Sequence, residues 1–172
     1  MSSKIAVVVV GRFNPLTKGH CYLIQTAKNY AEDNGYDLYV LPTRTEGNAR
    51  NPIPYKDKMS IVREMFPDVN FIEDSYIHHL HDLIEMLKCY SYESFVGFGD
   101  EERRSLYESI PNMAYFSLGN REEDGMGLMG ISATKAREFA RNGDVQGYLS
   151  MMPENMSLKR LDECYNKIRE FE

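Results

Sequence analysis

One short stretch, Lys4-Ile5-Ala6-Val7-Val8-Val9-Val10, limits the folds open to this chain more than any other. It is β-branched and nearly all apolar, without the alternation of a strand that has one wet face, so it predicts a central parallel strand covered on both sides. Such a strand needs helices on both of its faces, joined to it by crossover connections. The residues that follow supply the first of them. After a loop from Gly11 to Leu16, the residues Leu23, Ala27, Tyr30 and Ala31 recur at helical spacing, and Gly35 ends the pattern as a C-terminal glycine does.

The same alternation continues. Asp37 to Leu41 reads as a second strand, Met59, Val62, Met65 and Phe66 mark a second helix closed by Pro67, and Val69 to Ile72 is a weaker third strand. Leu80, Leu83, Ile84 and Leu87 predict an amphipathic helix, Phe95 to Phe98 a fourth strand and Met113 to Leu118 a fifth. Beyond them Ser132 to Asn142, Asp144 to Met151 and Ser157 to Phe171 read as three helices. The expected fold class is α/β: a Rossmann-like doubly wound parallel sheet of about five strands with C-terminal helices. Residues 1–172 are expected to form one domain, 1–130 an α/β core and 131–172 a helical portion. Ligands of such sheets bind at the carboxyl ends of strands, near the switch in strand order, so the loops after strands matter most.

Composition narrows the function classes. With 42% hydrophobic and 27% charged residues and no apolar run near the ~20 residues that cross a bilayer, the chain reads as soluble, with no membrane partner. Ile5 to Val10 is too short for a signal h-region, and Gly11-Arg12 follows it where a cleavage site would stand. Cys21, Cys89 and Cys164 are odd in number and far apart, which argues against a disulfide framework or a zinc site and fits a reducing cytoplasm. A net charge of −6 disfavours nucleic acid as a partner but leaves room for a small anion in a local basic pocket.

That pocket has a candidate. Directly after the first strand comes Gly11-Arg12-Phe13-Asn14-Pro15-Leu16-Thr17-Lys18-Gly19-His20, running into the first helix. Gly11 would let a phosphate approach the backbone, and the helix start offers unpaired N–H groups and partial positive charge. Lys18 and His20 add donors. A cation at Lys18 is otherwise unfavourable near a helix N-terminus by ~0.3–1 kcal/mol unless an anion is bound. Late in the chain Ser132 can cap another helix, and Arg137 sits where a planar fork could reach the same anion.

These two segments carry a resemblance. Thr17-Lys18-Gly19-His20 resembles the (His/Thr)-x-Gly-His signature of the nucleotidyltransferase superfamily, and Ile131-Ser132-Ala133-Thr134-Lys135-Ala136-Arg137 resembles its Ile-Ser-Ser-Thr-x-x-Arg signature apart from Ala133. Arg50-Asn51-Pro52 is similar to the Asn-Pro segment of adenylyltransferases acting on nicotinamide mononucleotide or phosphopantetheine; where relatives continue to Glu-Arg, this chain has Asp57-Lys58. Gly97-Phe98-Gly99-Asp100 resembles the Gly-rich turn that borders the nucleotide, and equally an ordinary turn capped by Asp100. The pattern Gly11-Arg12-Phe13-Asn14-Pro15 looks more like those adenylyltransferases than like cytidylyltransferases, which usually carry Asp after the Phe. The chain's size and phrasing are also similar to nucleotidyltransferases of tailed phages. The resemblance spans Lys4 to Arg141 and leaves the last helices unmatched.

The resemblance implies transfer of a nucleoside monophosphate, AMP from ATP ahead of CMP from CTP, to a small phosphorylated acceptor with release of pyrophosphate. Nicotinamide mononucleotide ranks first as acceptor, phosphopantetheine second and a sugar or polyol phosphate third. A nucleotide-binding module without turnover is the alternative of another class. Carried over by motif, Thr17, Lys18, His20 and Arg137 form the catalytic set. Gly11, Arg12, Phe13, Asn14, Gly19, Gly97, Gly99, Asp100, Ile131, Ser132 and Thr134 line the nucleotide, and Arg50 and Asn51, with Arg12, face the acceptor. Mg2+ would arrive with the triphosphate, without dedicated protein ligands. Oligomeric state stays open, homo-oligomers included.

Three further signals carry less. Gly125-Met126-Gly127-Leu128-Met129-Gly130 spells a dinucleotide fingerprint, but the acidic stretch Asn120 to Asp124 separates it from a strand, so a loop closing over triphosphate is expected instead. His78, His79 and His81 read as a solvated cluster rather than a metal site, although His78 and Asp82 would share a helical face. Arg44-Thr45-Glu46-Gly47 echoes a late cytidylyltransferase motif far too early in the chain.

Overall fold

A computed structural model of the chain describes residues 4–119 and 131–171. Its first strand, β1 (Lys4–Gly11), is followed by α1 (Lys18–Asn34), β2 (Asp37–Pro42), α2 (Tyr55–Met65), β3 (Asn70–Phe71), α3 (Leu80–Cys89) and β4 (Tyr92–Gly99). A 3-10 turn (Glu101–Arg103) then runs into α4 (Arg104–Glu108), before β5 (Met113–Ser117) and three helices, α5 (Ala133–Arg141), α6 (Val145–Met151) and α7 (Leu158–Arg169). The five strands form one parallel sheet of order β3-β2-β1-β4-β5. Strand order reverses between β1 and β4, so the topological switch lies at the end of the apolar run that opens the chain.

Burial follows the pleat. Val7 and Val9 pack into one core with α1, α2 and residues of the last three helices, while Ala6, Val8 and Val10 pack into a second core against α3, Tyr107 and Tyr115. Two buried faces explain why the strand shows no alternation. Ala140, Tyr148, Met152, Cys164 and Ile168 belong to the same core as Val7, so the C-terminal helices cover the sheet rather than standing apart.

Local chemistry ends the elements where expected. Gly35 adopts a left-handed φ of 69° at the C-terminus of α1, a conformation that glycine takes without a Cβ penalty. At α3, Asp82 accepts the backbone N–H groups of His78 and His79, each at 3.0 Å. His78 thus precedes the helix instead of sharing a face with Asp82, and the carboxylate caps a helix whose histidines are exposed. The turn and short helix from Glu101 to Glu108 went unread in the sequence because they are brief and polar; Arg104 there is held by Glu101 and Glu108.

Two buried tyrosines set the floor of the switch. Val10 N–H donates to the Tyr107 hydroxyl at 3.2 Å, the Tyr115 hydroxyl donates to the Asp100 carbonyl at 2.6 Å, and the rings lie 4.6 Å apart. A Cβ on Gly97 would collide with the Tyr107 ring, so this glycine makes room for an aromatic. Gly97→Ala is therefore expected to lower stability by about 1–3 kcal/mol through overpacking, read as a lower urea midpoint; an unchanged midpoint would contradict this packing.

Candidate active site

The carboxyl ends of β1 and β4 open into a cleft lined by both signature segments: Gly11 to Asn14, Thr17, Gly19 and His20 from the first, and Ile131 to Thr134 with Arg137 from the second. Gly99, Asp100 and Arg103 complete it. The first turns of α1 and α5 both face this space, and neither contains an acidic side chain to offset its partial positive charge.

The α1 start is organised by Thr17 and His20. Thr17 Oγ1 accepts the His20 backbone N–H at 3.4 Å, and Thr17 N–H donates to His20 Nδ1 at 3.1 Å, a reciprocal cap. Because Nδ1 accepts, the ring proton belongs on Nε2, which fixes His20 as a donor through that atom. Phe13, with a φ of 47°, sets its ring edge-on to the imidazole at 5.1 Å between centroids. The same ring fills the space a Cβ on Gly11 would need, 2.7 Å from its Cε1. Gly11 thus accommodates Phe13, where the sequence suggested room for a phosphate.

Arg137 brings the second segment to the first. It is 7% exposed, donating from Nη1 to the Asn14 carbonyl at 2.9 Å and from Nη2 to Thr134 Oγ1 at 3.3 Å. Ser132 caps α5 by accepting the Lys135 N–H at 3.0 Å. Burial, and then the charges of Arg12, Arg141 and Arg50, push the Arg137 guanidinium down to about 10. No described carboxylate forms an ion pair with it. Among the described residues a carbonyl and a hydroxyl hold this buried cation, an arrangement whose desolvation cost a bound anion would offset.

The expected site residues divide. Gly11, Arg12, Phe13, Asn14, Thr17, Gly19, His20, Gly99, Asp100, Ile131, Ser132, Thr134 and Arg137 line the cleft. Lys18 does not; its ammonium lies 3.8 Å from Glu154, so a carboxylate of this chain stands near the cation that the sequence left to a bound anion. Gly97 lies under Tyr107. Arg50 is exposed, and Asn51 is buried with its amide engaged by Asn48 and Thr45, holding the turn in which both sit. Asp100 lines the cleft and accepts the Arg103 N–H at 3.1 Å as a cap. The loop expected at Gly125 to Gly130 lies outside the described residues.

Sequence reasoning missed two cations. Arg103 reaches the cleft with Nη1 3.5 Å from the Val10 carbonyl, and a basic residue one turn past a strand-end cap was the available signal. Lys58 is 1% exposed and donates to the Thr43 carbonyl at the end of β2. Among the described residues the cleft lining holds Arg12, His20, Arg103 and Arg137 with the carboxylate of Asp100, on a chain of net charge −6.

Comparison with known proteins agrees with the fold. The sequence model of the cytidylyltransferase-like family matches residues 8–115. The chain belongs to that family. No curated protein matches it. Among solved structures, a bifunctional NMN adenylyltransferase/ADP ribose pyrophosphatase from Francisella tularensis is 18% identical with a TM-score of 0.63, covering 98% of this chain and 53% of its own. The same protein complexed with AMP and a Mn ion is 17% identical with a TM-score of 0.62, covering 98% of this chain and 52% of its own. A nicotinic acid mononucleotide adenylyltransferase from Plasmodium falciparum, complexed with NaAD, is 15% identical with a TM-score of 0.62, covering 98% of both chains. This chain thus spans about half the length of the Francisella protein. At such identities the likeness is one of fold, and it extends through the C-terminal helices that the motif resemblance left unmatched. No helix among the described residues is long and apolar enough to cross a membrane.

Lys58, which does not line the cleft, gives the fold a pH signature. Burial pushes its ammonium from the ordinary 10.5 down to about 8, Glu46 opposing and Arg12 adding to the shift. Between those values the unfolded chain holds more protons than the folded one, so stability rises with pH across that window. Cys21 and Cys164, whose thiols burial pushes up to about 12, oppose it above pH 9, so the comparison is between variants: in urea unfolding from pH 7 to 10.5 the stability difference is expected to move in favour of the parent over Lys58→Met, and parallel profiles would show that Lys58 is not the titrating group.

Proposed function

We propose that this chain is a nucleotidyltransferase that moves a nucleoside monophosphate from a nucleoside triphosphate, ATP ahead of CTP, onto the phosphate of a small acceptor, nicotinamide mononucleotide or its acid first. Residues 1–172 are read as one domain, since the last helices share the core of the sheet. The observation that carries the reading is the buried Arg137 guanidinium, in no ion pair among the described residues, meeting the His20 end of α1 in one cleft.

The chemistry needs positioning and charge rather than a nucleophilic side chain. An acceptor phosphate oxygen attacks the α-phosphorus, the new P–O bond forms, and the bond to the β-phosphate oxygen breaks with its electron pair leaving on pyrophosphate. His20, donating from Nε2, and the first N–H groups of α1 stabilise charge on the α- and β-phosphates. Arg137, with Ser132 and Thr134 at the α5 start, holds the β- and γ-phosphates, and Arg103 adds charge from the β4 side. Thr17 orients His20 through the reciprocal cap. Arg12 is assigned to the acceptor phosphate, with Arg50 on the neighbouring turn. Lys18, beside Glu154 and outside the cleft lining, is assigned charge at longer range.

A divalent ion fits this donor set as a companion of the triphosphate. Among the described residues no three His, Cys, Asp or Glu side chains gather around a point, and Asp100 is the one cleft carboxylate described. Mg2+ bound to the phosphates would neutralise charge on the leaving pyrophosphate. The Mn ion and AMP of the Francisella structure support this assignment by fold.

The adenylyl preference is supported by the resemblance of Gly11 to Pro15 and by the nicotinate and nicotinamide mononucleotide adenylyltransferases of the same fold. The family's own description keeps CTP as the second reading. Pyrophosphate release with ATP and with CTP against a panel of phosphorylated acceptors separates them. The parent is expected to require one triphosphate and one acceptor, with His20→Ala and Arg137→Met each slowing turnover by about 10²–10³, as loss of a transition-state donor does. Nucleotide binding without release across the panel would turn the reading to a binding module.

A further inference from the structure

Helix α5 carries two arginines one turn apart, and they reach different parts of the site. Arg137 enters the cleft and donates to the Asn14 carbonyl at 2.9 Å. Arg141, outside the cleft, donates from Nη2 to the Ala49 carbonyl, at the turn that presents Arg50 and Asn51. Residues at i and i+4 share a helix face, so one rigid element touches both segments.

The two segments are also tied to each other. The Asn14 side chain accepts the Ile53 N–H at 2.8 Å and donates to the Ile53 carbonyl at 3.0 Å, both buried. Asparagine alone among the short acidic or amide side chains at this position suits both bonds, because aspartate cannot donate. The contacts close a ring: Arg137 to Asn14, Asn14 to Ile53, back along the chain to Ala49, and Ala49 to Arg141. Arg141 Nε is buried without a hydrogen-bond partner, so among the described residues the Ala49 carbonyl is the acceptor that holds this guanidinium.

We propose that Arg141 is a positioning residue through which α5 couples the two subsites, so that a triphosphate gripped at the α5 start orders the 48–53 segment that receives the acceptor. This rests on the reading that the cleft takes the triphosphate and that segment the acceptor. Triphosphate charge draws on Arg137 and on the Ser132 end of α5, and the helix transmits the tightening to Ala49 one turn on. The acceptor then meets a segment already ordered, which lowers the entropy its binding must offset.

Amide hydrogen exchange followed by NMR, with and without saturating Mg-ATP or Mg-CTP and no acceptor, tests the coupling without turnover. In the parent, nucleotide is expected to slow exchange at Gly19 and His20, and at Asn51 and Ile53 by about tenfold, within the range usual for coupled sites. Arg141→Ala should keep the protection at Gly19 and His20 and lose it at Asn51 and Ile53, while Arg141→Lys, which can still reach a carbonyl, restores part of it. Protection at Asn51 and Ile53 that survives in Arg141→Ala, or that never arises in a parent protected at Gly19 and His20, overturns the coupling alone. A parent protected nowhere by either nucleotide overturns the triphosphate reading itself.

Discussion

Burying β1 on both faces decides the placement of everything else. Val7 and Val9 demand one cover and Ala6, Val8 and Val10 another, so helices must lie on both sides and the chain must cross over between parallel strands. Crossing in both directions from β1 puts the switch in strand order between β1 and β4. There, at the carboxyl end of β1, the chain leaves the sheet through Gly11 to Leu16, and the peptide of Val10 is held by Tyr107 and Arg103. The site stands where it does because the most apolar strand ends there.

What gathers at that position, among the described residues, is positive charge: Arg12, His20, Arg103 and Arg137 line one cleft. Surface cations such as Arg104 and Arg160 sit on carboxylates, and each such pair contributes little. Arg137 is instead buried against a carbonyl and a hydroxyl. Two helix starts without acidic residues face the same space. A chain of net charge −6 thereby brings several cations together at one cleft.

Much of this was legible in the sequence, for identifiable reasons. Unbroken apolar runs and helical periodicity report burial directly, so all five strands and six of the helices could be read, with ends within a few residues. The cap at Thr17, the stop at Gly35 and the cap at Ser132 are local chemistry that a few consecutive residues determine. Short polar α4 left no periodic trace. The glycines were harder to interpret, because the partner that excludes a Cβ is distant in the chain at Gly97, where Tyr107 packs, and turns back unexpectedly at Gly11, where Phe13 does.

The sequence by itself determined the α/β alternation, the two signature segments and their attachment to helix starts, since each depends on residues near one another along the chain. Only the tertiary structure decided that Arg137 reaches the Asn14 carbonyl across 123 positions, that Asn14 turns its amide to Ile53, that Lys18 faces Glu154, and that Arg103 and Lys58 become buried or cleft-lining cations. Those outcomes depend on which surfaces the sheet brings face to face. A charged side chain looks the same in sequence whether water, a carboxylate or a carbonyl surrounds it, and the surroundings set its energy.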